Sequence, residues 1–290
     1  MTEQRRWAVV TGASTGIGRA TTKALVEHGL GVFGSVRKQA DADSLSDEFG
    51  DQVVPLSFDV TDPEAIAEAV KAVHEVVGDQ PLAGLVNNAG VAMAGPLMHI
   101  PMEELRQQFE VNVFGLMAVT QAFLPALGAR RGSKGVPGRV VNVSSVAGRI
   151  TAPFLGAYAA SKHAVEALSD ALRRELLIYG IDVIVIQPGA IKTPIWDKAE
   201  ALDLADADDT DYATILPGFQ KMMLHQGRNG LEASRVGNTV VQALTTASPR
   251  TRYPIPDQPW VGWRIPRLMP DRWVDRAIAK QVGLRPPTDS

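Results

Sequence analysis

Trp7-Ala8-Val9-Val10-Thr11-Gly12-Ala13-Ser14-Thr15-Gly16-Ile17-Gly18 is the stretch on which the fold turns. An apolar run stops at a glycine-rich segment, and a helical pattern then continues to about His28, with Gly29 placed to cap it. Strand, glycine turn and helix N-terminus together make a seat for a dinucleotide pyrophosphate. The glycines let backbone N–H groups approach phosphate, and the helix adds partial positive charge. The spacing is G-x-x-x-G-x-G, which lengthens the turn relative to G-x-G-x-x-G. A glycine-rich loop without a ligand is the competing reading.

The same alternation continues outward. Gly31–Val36 reads as a second strand and residues 53–58 as a third, closed by Asp59-Val60. Asp62-Pro63 then starts a helix, the carboxylate as N-cap and proline at the first helical position. Gly84-Leu85-Val86 is a fourth strand ending in Asn87-Asn88-Ala89-Gly90, whose small and amide side chains suit a wall over adenine and ribose. One long helix is expected over about residues 101–127, then a basic glycine-rich loop, a fifth strand at Arg139–Val143, and a helix from Tyr158 to about Tyr179. Residues 182–187 and Arg252-Tyr253 supply the last strands, with a helix over 231–246 between them. Strands alternating with amphipathic helices imply βαβ units and a doubly wound parallel sheet, with ligands beyond the carboxyl ends of the strands.

Composition narrows the function classes. The chain has 290 residues, no cysteine and a formal net charge of −3. That excludes a disulfide framework, a thiol nucleophile and a cysteine-zinc site, and gives no overall attraction to nucleic acid. The five histidines show no ligand spacing, so no metal is expected. No signal peptide or run of membrane-spanning length is present, and the cytoplasm is the expected compartment.

Tyr158 and Lys162 are four residues apart, which puts both on one face of a helix. A lysine cation there favours the tyrosinate and lowers a phenol pKa of about 10 toward neutrality, making a general acid or base. Ser145, thirteen residues before Tyr158, lies at a strand end and offers a hydroxyl to a substrate oxygen. Asn112 is a poor mid-helix residue that serves either the site or a buried structural amide. Val36 stands where an acidic residue would bind a ribose 2′-hydroxyl, and Arg37-Lys38 follow. Arg37 can pair with a 2′-phosphate, which favours NADP(H) over NAD(H); a solvated strand end is the alternative.

Together these motifs resemble the short-chain dehydrogenase/reductase superfamily over about residues 7–193, near its NADP(H)-preferring 17β-hydroxysteroid and retinol dehydrogenase-like members. The resemblance implies a Rossmann-type α/β fold with a seven-stranded parallel sheet, one catalytic domain over residues 1–255, and a C-terminal extension, 256–290, packed on it. It implies catalytic roles for Asn112 (water in a proton relay), Ser145 (carbonyl orientation), Tyr158 (proton exchange) and Lys162 (tyrosine pKa and nicotinamide ribose). Cofactor contacts are implied from Gly12, Ser14, Thr15, Gly16, Ile17, Gly18, Arg37, Asp59, Val60, Asn88, Ala89, Gly90, Tyr158, Lys162, Pro188, Gly189, Ile191 and Thr193. Ser14-Thr15 departs from the many NADP(H)-dependent members that carry a cation there, and NAD(H) remains an alternative cofactor. A homodimer or homotetramer, paired through the helices of Asn112 and Tyr158, is implied as well.

Substrate choice falls to the remainder. Val91, Met93, Leu97, Val146, Phe154, Leu155, Ile195 and Trp196 give the expected pocket an apolar lining, suited to a hydrophobic secondary alcohol or ketone, steroid-, retinoid- or lipid-like. Residues 193–230 correspond to the family's lid; their run Asp203, Asp206, Asp208, Asp209 and Asp211 reads as its solvated exterior, with Phe219, Met222 and Met223 behind. The tail from Arg250 carries eight Lys/Arg against four Asp, with Trp260, Trp263 and Trp273. Such a tail either packs on the pocket or a partner subunit, or touches a lipid surface. Competing activities are a 3-oxoacyl-thioester reductase, which the tail disfavours, and a dinucleotide-sensing regulator without turnover, which Tyr158 and Lys162 disfavour.

Overall fold

The apolar runs become strands because both of their faces are covered. In the computed structural model, which describes residues 5–200, 210–257, 259 and 263–284 except the side chains of 198 and 199, seven strands form one parallel sheet. They are β1 (Trp7–Val10), β2 (Gly31–Val36), β3 (Val53–Ser57), β4 (Gly84–Asn87), β5 (Arg139–Val143), β6 (Val183–Pro188) and β9 (Arg252–Ile255), in the order β3-β2-β1-β4-β5-β6-β9. Register pairs Val9 with Phe33 on one side and Leu85 on the other, so β1 is where the winding reverses. A short pair, β7 (Ile191–Lys192) and β8 (Leu231–Glu232), stands apart from the sheet.

Successive β1 side chains divide between two cores. Ala8 and Val10 join Val86, Val141 and Ile184 beneath α1 (Gly16–Glu27) and α9 (Ala233–Thr245), with Leu25, Val236 and Val240 packed against them. Val9 joins Phe33, Leu85 and Val140 on the opposite face, beneath α3 (Pro63–Val77), α5 (Leu116–Phe123) and α6 (Gly156–Glu175), through Val73, Phe123 and Leu172. Strands buried on both faces read as continuous apolar runs, which is why they were legible. Asp62 caps α3 as expected, its carboxylate accepting from the backbone N–H groups of Glu64 and Ala65.

The expected uninterrupted helix over 101–127 is instead α4 (Met102–Phe109), a π-helical stretch (Glu110–Gly115) and α5. The wider turn carries Asn112, and π turns inside helices are frequent at functional sites. The Tyr158 helix closes as a 3-10 turn over Leu176–Tyr179. Helix α2 (Gln39–Phe49), with only Leu45 buried, shows too little apolar periodicity to read from sequence; α10 (Asp271–Val282), which has no buried residue, was not anticipated either.

Beyond the sheet, α7 (Ile195–Glu200) and α8 (Leu216–Arg228) occupy the lid region. Phe154, Leu216 and Phe219 form a third apolar cluster, against which Tyr212, Met222, Met223 and, from the tail, Val282 and Leu284 pack. Asp203, Asp206, Asp208, Asp209 and Trp260 lie outside the described residues. Among the described residues, no helix is long and apolar enough to cross a membrane.

Candidate active site

At the carboxyl ends of β1 and β4 the backbone is tied by side chains. The Thr11 hydroxyl accepts from the N–H groups of Asn88 and Ala89, each at 2.9 Å. The Asn88 amide donates back to the carbonyls of Thr11 (2.9 Å) and Gly12 (3.1 Å), and Gly12 N–H donates to the Ser35 hydroxyl at 3.0 Å. Gly16 has φ +55°, and a Cβ there would come within 3.1 Å of Thr193; a Cβ on Gly18 would overlap the Gly12 carbonyl. The loop is therefore a cradle that any side chain would fill. Helix α1 begins at this cradle with no capping side chain and no acid in its first turn, so Gly16, Ile17 and Gly18 present uncompensated positive dipole. Ser14 and Thr15 complete the rim; the Ser14 carbonyl accepts from Arg19, whose guanidinium is also held by Glu48 at 2.7 Å.

Arg37 stands exposed at the end of β2, 3.4 Å from the Asp59 carboxylate. Partial burial raises the Asp59 pKa, but hydrogen bonds from Thr61 and the Arg37 cation more than offset it and hold the carboxyl below its ordinary value. Val60 follows, buried against Gly115 of the π stretch. Gly90 lies against the Asn112 carbonyl oxygen, within 3.1 Å of where its Cβ would stand. On the far side, Gly189 N–H donates to Ile255 at 2.9 Å and Ile191 is buried in β7. The cradle thus touches the Pro188–Thr193 segment where Gly16 meets Thr193, and it lies at the end of β1, where the winding reverses.

Ser145, Tyr158 and Lys162 meet along β5 and α6. The Ser145 hydroxyl donates to the Pro188 carbonyl (3.3 Å), accepts from Ala147 N–H (3.1 Å), and hydrogen-bonds the Tyr158 phenol. Ser144 instead points at the Lys162 carbonyl, 3.5 Å away. The Lys162 ammonium is buried, donates to the Val143 carbonyl at 2.9 Å, and lies 5.8 Å from the Tyr158 ring centroid. Burial pulls its pKa from 10.5 to about 8, with Glu166 acting in the opposite direction. Burial pushes the Tyr158 phenol above its ordinary value, and the Ser145 hydrogen bond offsets that only in part. The direction is opposite to the expected lowering, because burial outweighs the Ser145 hydrogen bond. A hydroxyl, a protonated phenol and an ammonium side by side can fix an oxygen atom and exchange a proton with it.

Asn112 is fully engaged. Its oxygen accepts from Val91 N–H at 2.9 Å, and its nitrogen donates to the Val91 carbonyl (2.9 Å) and the Ser161 hydroxyl (3.1 Å). Ser161 in turn donates to the Tyr158 carbonyl at 2.7 Å. Asn87, read from sequence as part of the adenine wall, is instead buried in a polar chain beneath: it donates to Thr120 (2.8 Å) and Asn142 (2.9 Å), and Asn142 to Ser169 (2.9 Å). Three polar elements were missed altogether: Arg149, Arg252 and Gln187 converge on buried Glu166. Only the four-residue spacing of Lys162 and Glu166 was a signal, since Arg252 comes from 86 residues away.

On the substrate side, Phe154 adopts φ +64°, the one described non-glycine residue in the left-handed region. Its ring meets Tyr212 at 5.5 Å and Phe219 at 5.0 Å, both edge-on. Leu97 covers Gly156 at the start of α6. Trp196, expected in the pocket, instead packs on Gly227 and donates to the Ile191 carbonyl at 2.7 Å, bracing the lid's base.

The family model for short chain dehydrogenases matches residues 6–203. NADPH-dependent 3-dehydrocapnine reductase of Ornithobacterium rhinotracheale is 44% identical over 277 residues, 96% of this chain and 97% of that one. Mouse retinol dehydrogenase 16 is 33% identical over 264 residues, covering 86% and 80%. Among solved structures, a variant of actinorhodin polyketide ketoreductase with NADPH superposes with a TM-score of 0.72 at 29% identity, covering 87% and 96%. The chain belongs to the short-chain dehydrogenase family, and its chemistry is nicotinamide-dependent oxidation or reduction at a CH–OH/C=O carbon.

Proposed function

We propose that the chain transfers a hydride between NADP(H) and a hydrophobic secondary alcohol or ketone, and that reduction of the ketone is its working direction. The observation that carries this is the convergence of Ser145, Tyr158 and Lys162 beside a glycine cradle at one sheet end. The cradle that a Cβ would fill and the unopposed α1 dipole fit a pyrophosphate; Arg37 fits a 2′-phosphate, and the 44% identical relative bears an NADPH-dependent name. Bound there, NADPH supplies the hydride. Ser145 orients the carbonyl oxygen, and the protonated Tyr158 donates the proton to it. Lys162 holds a positive charge behind the phenol. Asn112 anchors the Val91 backbone to α6, which holds the pocket wall against the cofactor side. Asn88, Ala89 and Gly90 face the adenosine half, and Pro188, Gly189, Ile191 and Thr193 the nicotinamide half.

The substrate is apolar because Phe154, Phe219, Tyr212, Met222 and Met223 supply the cluster at the entrance, and a retinol dehydrogenase lies among the relatives. The described part of the C-terminal tail acts as an extension of the catalytic domain, since Val282 and Leu284 pack on that cluster. Exposed Phe114, Leu177 and Ile178, near the Asn112 turn and the end of α6, support pairing of subunits through these helices. A panel of steroid, retinoid, aliphatic and acyl-thioester ketones, followed at the nicotinamide absorbance, tests the reading. Turnover of apolar ketones with NADPH ahead of NADH is expected; selective turnover of acyl thioesters would replace this substrate class.

A further inference from the structure

One buried acid takes no part in the chemistry above. Glu166 lies one helical turn beyond Lys162 on α6 and is 4% exposed. One carboxylate oxygen is 3.1 Å from Arg149 and 2.8 Å from Arg252; the other accepts from the Gln187 amide at 2.8 Å. These partners come from three places around the site. Arg149 follows the turn after Ser145, Gln187 precedes the Pro188 that receives the Ser145 hydroxyl, and Arg252 belongs to the edge strand β9. A Cβ on Gly148 would touch both Glu166 and the Lys162 carbonyl, so that turn rests directly on this pair. Other charges around the cluster are Asp170, 2.9 Å from Arg252, and Arg173, 2.8 Å from Asp170.

Two guanidiniums pair with the Glu166 carboxylate, and the burial that surrounds it weakens screening. A fixed negative charge at i+4 from a buried lysine favours the ammonium over the amine. We propose that Glu166 is a positioning residue for the reaction: clamped by Arg149, Arg252 and Gln187, it keeps Lys162 cationic through the neutral range and so sets the upper pH limit of turnover. This rests on the roles of Tyr158 and Lys162 proposed above. Burial alone would lower the Lys162 pKa further than about 8, and Glu166 is the group that opposes it.

The test is the pH profile of kcat and KM for ketone reduction in the full-length protein, as wild type, Glu166→Gln, Glu166→Asp and Gln187→Leu. Activity that needs the ammonium is present below the Lys162 pKa and lost as pH rises through it. Glu166→Gln should therefore move the alkaline limb of kcat down by about one pH unit, with about tenfold less activity near the former limb and little loss at low pH. Glu166→Asp should restore most of the limb. Gln187→Leu removes a clamp partner without changing the local charge and should move the limb down by less than Glu166→Gln does, which keeps the proposal testable if Glu166→Gln does not fold. A folded Glu166→Gln protein with a uniformly lowered kcat and an unmoved limb would overturn the proposal, leaving Glu166 a structural tie. So would an unmoved or raised limb in Gln187→Leu. An active Tyr158→Phe enzyme would instead overturn the underlying mechanism.

Discussion

The Lys162 ammonium lies 2.9 Å from the Val143 carbonyl oxygen, on the strand that delivers Ser145, and 5.8 Å from the centre of the Tyr158 ring. The cation is thereby fixed to the sheet rather than to the phenol. Tyr158 keeps its proton at neutral pH, shares a hydrogen bond with Ser145, and is prepared to act as an acid.

Tyr158→Phe removes the phenol that hydrogen-bonds the Ser145 hydroxyl. Turnover should fall by about 10²–10⁴-fold, the usual worth of general acid catalysis, while NADPH affinity by fluorescence titration stays nearly unchanged. Retained turnover would refute the mechanism.

Lys162→Met should separate stability from activity. With a folded pKa of about 8 against 10.5, the buried ammonium opposes folding most strongly below about pH 8. Between these values the unfolded chain binds the extra proton, so this penalty shrinks as pH rises. Urea unfolding at pH 7 should show the methionine variant more stable by about 1–3 kcal/mol, a gain that fades toward pH 10, while activity is lost. A variant less stable than wild type at pH 7 would contradict the burial argument.

Arg37→Asp replaces the exposed cation at the end of β2 and sets a like charge beside Asp59. The ratio of kcat/KM for NADPH over NADH should drop by about 10- to 100-fold, the worth of one charge-assisted hydrogen bond. An unchanged ratio would remove Arg37 from the 2′-phosphate site.

Asn112→Ala leaves the Val91 N–H and the Ser161 hydroxyl without their amide partner, and the Val91 carbonyl with Gln108 alone. Thermal unfolding should show a loss of about 1–3 kcal/mol. The KM for ketone should rise as the Val91 wall loosens. Full stability would show that water replaces the amide.

The tail supplies a fifth test. Trp273, 61% exposed, shares a face of α10 with Arg276 and Lys280, while Arg267 stacks over buried Trp263. That exposed face suits an anionic lipid surface. Co-sedimentation with anionic vesicles at low salt, lost with Trp273→Ser, is expected; equal sedimentation with and without vesicles would exclude it.

How far the sequence carried the reading depended on the reach of each interaction. Trp7–Val10, Gly31–Val36 and Arg139–Val143 were legible because a strand covered on both faces must be apolar throughout, and Asp62-Pro63 because a helix start is a local event. Tyr158 and Lys162 share a face at four-residue spacing whatever surrounds them, and the glycines of the first turn report a backbone that must approach its neighbours closely. Direction of titration was not local. The expected lowering of the Tyr158 pKa became a rise because burial, a product of packing, outweighs the Ser145 hydrogen bond. Likewise the π turn at Asn112 answers to Val60 and Val91 on other elements. Glu166 acquires its meaning only when β9 brings Arg252 across 86 residues of chain. Periodicity and turn chemistry reside in neighbouring residues and are written in order along the chain; charge environment is a sum over everything folded around a site, and only the tertiary structure assembles it.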